Sequence, residues 1–173
     1  TRAGGILSDI SGANLTLRNT ILWGNRNGDG TDAQIVNDSS FGSNTVSNSI
    51  VQGGQFGGLN AAPLFTTPLT PSATPSTAGN FRLLDASPGI DAGANANVPA
   101  DTLDVDGDTN LTEDARDLAG NARRFDDTGV VDTGAGTAPI VDLGAFEKQT
   151  NSPVDPCAAI TFPYTLAGNT PAE

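Results

Sequence analysis

A segment recurs in this chain at a fixed offset, and that recurrence constrains the fold more than any other feature. Thr16–Asn25 (Thr-Leu-Arg-Asn-Thr-Ile-Leu-Trp-Gly-Asn) returns as Thr45–Gly54 (Thr-Val-Ser-Asn-Ser-Ile-Val-Gln-Gly-Gly), 29 residues later. The same offset carries Ile6-Leu7-Ser8-Asp9 onto Ile35-Val36-Asn37-Asp38. Two strand-like segments thus repeat together with their spacing kept. Periods of about 20–50 residues belong to solenoids and arrays. The units are short, β-branched and punctuated by Gly, Asn and Asp, so the pattern predicts two coils of a parallel β-helix. The apolar phase of Leu15, Leu17, Ile21 and Trp23 switches near Asn19, as at a corner between two strands of one coil. Asn19 and Asn48 then occupy equivalent corners, where Asn tolerates left-handed backbone geometry. Stacked at those corners, their amides are expected to form a ladder, as amide side chains do in cross-β stacks.

Composition narrows the function classes. The net charge is −12, with only 8 Lys and Arg. Nucleic acid is disfavoured as a partner, because phosphate binding needs clustered cations. His is absent, which removes the commonest general base and metal ligand. Cys157 is the only cysteine, so neither an internal disulfide nor a cysteine-based zinc site is expected. No stretch of 18 apolar residues predicts a membrane span. The chain opens on Thr1 and lacks Met, so it is expected to be processed or a piece of something longer. A repeat array needs roughly three or more units to bury its core, and two are visible.

Along the chain three regions follow. Residues 1–60 hold the repeat. Residues 61–148 are loop-rich: Pro63, Pro68, Pro71 and Pro75 break any periodicity, and Phe81-Arg82-Leu83-Leu84 and residues 139–147 read as short strands. Residues 149–173 read as a linker and a tail strand, in which Ile160, Phe162, Tyr164 and Leu166 alternate on one face. Pro163 makes that strand an edge strand.

The ordered short motifs carry a resemblance. They are Asn19-Thr20-Ile21-Leu22-Trp23-Gly24-Asn25, Ser49-Ile50-Val51-Gln52-Gly53-Gly54, Ala62-Pro63-Leu64-Phe65, Phe81-Arg82-Leu83, Ser87-Pro88-Gly89-Ile90-Asp91-Ala92-Gly93, Asp117-Leu118-Ala119-Gly120-Asn121-Ala122-Arg123 and Val141-Asp142-Leu143-Gly144-Ala145-Phe146-Glu147. In this order they resemble the C-terminal end of bacterial secreted right-handed parallel β-helix proteins of the choice-of-anchor Q type. The resemblance implies an extracellular or cell-surface protein whose residues 61–148 form an irregular cap on the helix. It carries over no catalytic set.

Asp104-Val105-Asp106-Gly107-Asp108-Thr109-Asn110 is the candidate metal site. Carboxylates at alternate positions, with a carbonyl two residues on, converge on one hard cation when a loop curls. The expected ligands for Ca²⁺ are Asp104, Asp106, Asp108 and Asp114, with the Asn110 carbonyl. The expected function is structural. The module would assemble head-to-tail with copies of itself, or with neighbouring β-helix units, into a filament. The open first coil would be covered by the tail strand through Ile160, Phe162, Tyr164 and Leu166. The alternative is a carbohydrate-binding or polysaccharide-degrading module, with glycans as partners and Trp23 as a stacking platform.

Overall fold

Ile6 pairs with Ile35, Leu17 with Val46 and Ile21 with Ile50, so the 29-residue offset of the sequence is a hydrogen-bonded register in three dimensions. The computed structural model describes residues 4–8, 12–37, 43–70 and 78–150. Its strands are β1 (Ile6–Ser8), β2 (Leu15–Arg18), β3 (Ile21–Leu22), β4 (Ile35–Asn37), β5 (Asn44–Ser47), β6 (Ile50–Val51), β7 (Phe65–Thr67) and β8 (Asn80–Leu83). β1 lies parallel to β4, β2 to β5 and β3 to β6. β7 and β8 are antiparallel.

The corner residues behave as their chemistry requires. Asn19 and Asn48 both take positive φ, 49° and 43°, a geometry that Asn adopts at modest cost. Each turns the chain between a four-residue and a two-residue strand. The turn also switches the face that apolar residues present. Ile35, Val46 and Val51 form one buried cluster, with Ile6, Leu15, Leu17 and Leu22 packed against it. Ile50 belongs to a second cluster with Ala92 and Leu143, joined by Ile21 and Trp23. The β3–β6 ladder thus separates two cores. That is why neither residue of β6 has any exposed surface: a strand buried on both faces reads as a continuous apolar pair. Full burial of Ile50 and Val51 contributes roughly 1.5–3 kcal/mol each.

The sheets correct the fold expected from the repeat. Among the described residues no sheet has more than two strands, and the last ladder is antiparallel. A right-handed parallel β-helix, with long sheets running through successive coils and a cap at the end, is not what these residues build. The offset recurs only once, and among the described residues each parallel ladder is two strands wide. Downstream, Pro63 and Pro68 flank β7 and the chain enters turns. The expected tail strand lies outside the described residues, as does Cys157.

Residues 84–150 contain no strand of their own and are held by isolated backbone and side-chain bonds. Within them, Ser87–Asn95 threads the second core. Gly93 N–H donates to the Val141 carbonyl at 2.8 Å, and Leu143 N–H to the Gly89 carbonyl at 2.8 Å. A Cβ on Gly93 would lie 2.7 Å from the Val141 carbonyl oxygen, so only glycine allows this approach. Residues 139–147, read from the sequence as a strand, form no ladder. Ile140, Val141 and Leu143 are nonetheless buried core residues.

Candidate functional site

Two features stand out: an open layer with a cleft beside it, and a set of carboxylates.

The parallel ladders are asymmetric. On the second layer, Ile35, Val46, Ile50 and Val51 are buried, while their register partners Ile6, Leu17, Ile21 and Leu22 remain half-exposed. The second layer is also sealed along its backbone. The Gln55 side chain accepts from Ile35 N–H at 3.2 Å and donates to the Ile35 carbonyl at 3.0 Å, standing in for a strand. Leu59 adds beside β6, with Val51 N–H donating to its carbonyl at 3.0 Å and its own N–H donating to Ser49 at 2.9 Å. The first layer has no such cover among the described residues. Leu15 N–H donates to Ser43, so by the alternation of a parallel ladder the Thr16 backbone groups face away from β5. Ile50 N–H donates to Thr20 and Gln52 N–H to Leu22, which leaves the Ile21 backbone groups facing away from β6. Beside β3 lies a cleft of about 590 Å³ lined by Ile21, Trp23, Phe65, Phe81, Leu118 and Phe146 among others. Phe65 and Phe81 meet edge to face at 5.2 Å, and Arg82 lies 4.6 Å over the Phe146 ring, fixing the aromatic wall.

The corner asparagines do not form an amide ladder. Asn19 donates to the Ala94 carbonyl at 3.0 Å and accepts from Ala94 N–H at 2.8 Å. Asn48 donates to the Ala92 carbonyl at 3.2 Å. Both amides therefore clamp Ser87–Asn95 onto the strands.

The predicted metal loop assembles in part. One carboxylate oxygen from each of Asp104, Asp106 and Asp108 lies within 4.8 Å of the others. The loop curls through positive φ at Asp104, Gly107 and Thr109. Its charges are already engaged. Arg116 donates to Asp106 at 2.8 and 2.5 Å and holds that carboxyl below its ordinary range. Asp104 accepts from Thr109 N–H at 3.0 Å, and Asp108 from Asn110 N–H at 2.7 Å. Asp114 turns away to an ion pair with Arg124. The Asn110 side chain folds back onto Thr112. The structure thus brings together three of the four expected carboxylates.

The chain matches no family model, no curated protein and no solved structure. Among the described residues no helix is long and apolar enough to cross a membrane.

Other acidic residues of the chain are interior. Asp142 accepts from Asp91 N–H at 2.9 Å and Lys148 N–H at 2.8 Å. Glu147 accepts from Phe125 N–H and from Asp142 N–H, both at 3.1 Å. Desolvation pushes Asp142 up to about 6, against the pull of those N–H groups and of Arg123 and Lys148. Desolvation, and then the Asp142 charge, pushes Glu147 up to about 8. Burial also raises Asp117, but N–H groups of Glu147, Asn121 and Ala119 outweigh it and leave its carboxyl low.

Sequence reasoning missed two groupings. Asp101, Asp106 and Glu113 bring one carboxylate oxygen each within 4.8 Å of one another, and so do Asp91, Asp126 and Asp132. The signal was present: Asp91 is the single charged residue within the small, apolar run Gly89–Ala94.

Proposed function

We propose that the protein is a structural module that joins copies of itself by adding a strand along the first layer. The observation that carries this reading is the asymmetry of the ladders. One layer is buried and sealed by Gln55 and Leu59, and the other is half-exposed and unpaired among the described residues. Unpaired strand edges recruit strands, and strand addition satisfies their backbone groups while side-chain pockets supply register. The aromatic cleft beside β3 supplies such pockets. A contact of this kind uses different surfaces on the two copies, so a rotation that does not close gives a filament. The alternating run Ile160, Phe162, Tyr164 and Leu166 has the sequence of an added strand and lies outside the described residues.

Thr16→Pro tests the reading. Thr16 is exposed and its N–H points away from β5, so proline removes the outward donor and leaves the β2–β5 bonds in place. Sedimentation velocity and negative-stain electron microscopy are expected to show concentration-dependent assembly of the parent chain and monomers of the variant. A parent chain that stays monomeric to hundreds of micromolar, or a folded variant that assembles unchanged, overturns it.

A further inference from the structure

Asp91 is the anomaly in the second core. It has no exposed surface, and among the described residues neither of its carboxylate oxygens has a hydrogen-bond partner. Its backbone is fixed on both sides: N–H donates to Asp142, and the carbonyl accepts from Thr133 N–H at 3.0 Å and Gly134 N–H at 2.9 Å. The side chain therefore cannot leave without breaking the thread through the core. A buried carboxylate without a donor or counter-charge is strongly disfavoured, and natural interiors rarely leave one so.

The nearby cations are engaged elsewhere. Lys148 pairs with Asp127 at 2.9 Å and Asp85 at 3.2 Å. Arg123 donates to the carbonyls of Gly144 and Asp142. What faces Asp91 is negative: Asp142, Asp132, Asp127 and Asp126.

We propose that Asp91, Asp126 and Asp132 bind a hard divalent cation, Ca²⁺ in preference to Mg²⁺. One oxygen from each of the three lies within 4.8 Å of the other two. Oxygens bound to a common Ca²⁺ at about 2.3–2.6 Å can be no more than about 5 Å apart, so this spacing admits a shared ion. Asp91 forms the floor, and exposed Asp126 and Asp132 form the mouth. An ion therefore has a path from solvent and meets water on its outer side. Three carboxylates from separate chain positions suit the irregular shell that Ca²⁺ tolerates and Mg²⁺ does not. The Asp104–Asp106–Asp108 cluster has no equivalent of the orphaned floor residue, since Arg116 and loop N–H groups already engage it. The ion at Asp91 is independent of strand addition at the first layer.

The test uses the full chain stripped with EDTA, with CaCl2 or MgCl2 added, read by calorimetric titration and thermal melting. Ca²⁺ at a hundredfold excess over its Kd is expected to raise Tm by about 5–10 °C. The paired variant Asp126→Asn/Asp132→Asn changes only exposed side chains and is expected to abolish both heat and shift. Asp104→Asn/Asp108→Asn is expected to keep both. Asp91→Asn is expected to fold and to ignore Ca²⁺. Absence of heat and of any Tm shift at 10 mM Ca²⁺ overturns the proposal. So does a full response in the Asp126/Asp132 variant, or loss of response only in the Asp104/Asp108 variant.

Discussion

Asn19→Ala removes a clamp that joins positions 75 residues apart, and the structure gives the size of the loss. Two bonds disappear, from Asn19 to the Ala94 carbonyl at 3.0 Å and from Ala94 N–H to Asn19 at 2.8 Å. The carbonyl keeps a second donor, Asn97 N–H at 2.9 Å, so its loss costs about 1 kcal/mol. The N–H sits on a residue with 7% exposure and is left without an acceptor, which costs about 1–3 kcal/mol. Alanine must also hold φ near 49°, at about 1–2 kcal/mol. The sum is about 3–6 kcal/mol, a large part of the roughly 5–15 kcal/mol that stabilises an ordinary domain. Asn19→Gly separates the contributions, because it loses the bonds but accepts the positive φ. It is expected to be milder by about 1 kcal/mol. Urea unfolding followed through Trp23, the only tryptophan and a half-buried member of the second core, reads both variants. Losses below about 0.5 kcal/mol for both, at unchanged denaturant slope, would refute the clamp.

Two further outcomes follow from the same contacts. Folded-state values of about 6 for Asp142 and about 8 for Glu147 stand above their ordinary values of 3.8 and 4.5. The folded chain therefore holds protons that the unfolded chain releases. The stability from these groups is full below pH ~4 and is lost progressively up to pH ~8, with a slope of about 1.4 kcal/mol per pH unit for each group within its window. Urea midpoints should fall from pH 5 to pH 8 and fall less in Glu147→Gln; a midpoint that rises over this range contradicts the assignment. Gln55→Ala strips the side chain that caps both backbone groups of Ile35, a residue with 5% exposure. It should cost about 1–3 kcal/mol by urea unfolding, and no measurable change would show that Gln55 does not seal the layer.

The six parallel strands were legible because their information is local. Alternation in Leu15–Arg18, the corner Asn19 and the apolar pair Ile21–Leu22 recur 29 residues on, and a pairing register needs nothing else. The extent of each sheet was not legible. A repeat seen twice has the same sequence whether its ladder ends or continues, and only the topology shows it ending at two strands among the described residues. In the metal loop, alternate spacing did gather Asp104, Asp106 and Asp108. Arg116 and Arg124, whose reach across the loop no spacing rule records, engaged Asp106 and Asp114. The strand expected at residues 139–147 failed for a similar reason. Its apolar residues are core, but Val141 N–H donates to the Asn95 side chain and Asp142 N–H to Glu147. Asn95 lies 46 residues from its donor and Glu147 five, and neither acceptor leaves a periodic trace.

Such side-chain acceptors also change the meaning of the chain's acidity. Between residues 84 and 150 no strand ladder is available, so buried N–H groups find either scattered loop carbonyls or side-chain oxygens. Carboxylates are suited to this, because one group accepts from two or three segments at once. Asp101, Asp117, Asp127, Asp142 and Glu147 are all buried, and each accepts from at least one backbone N–H. Part of the net charge of −12 is therefore internal framework and not a solvated surface. Asp91 is just as buried, yet among the described residues it accepts nothing on either oxygen. A residue needed only to cap backbone would resemble its five neighbours in the interior. One of its oxygens instead lies within 4.8 Å of an oxygen of Asp126 and one of Asp132, the arrangement a cation completes.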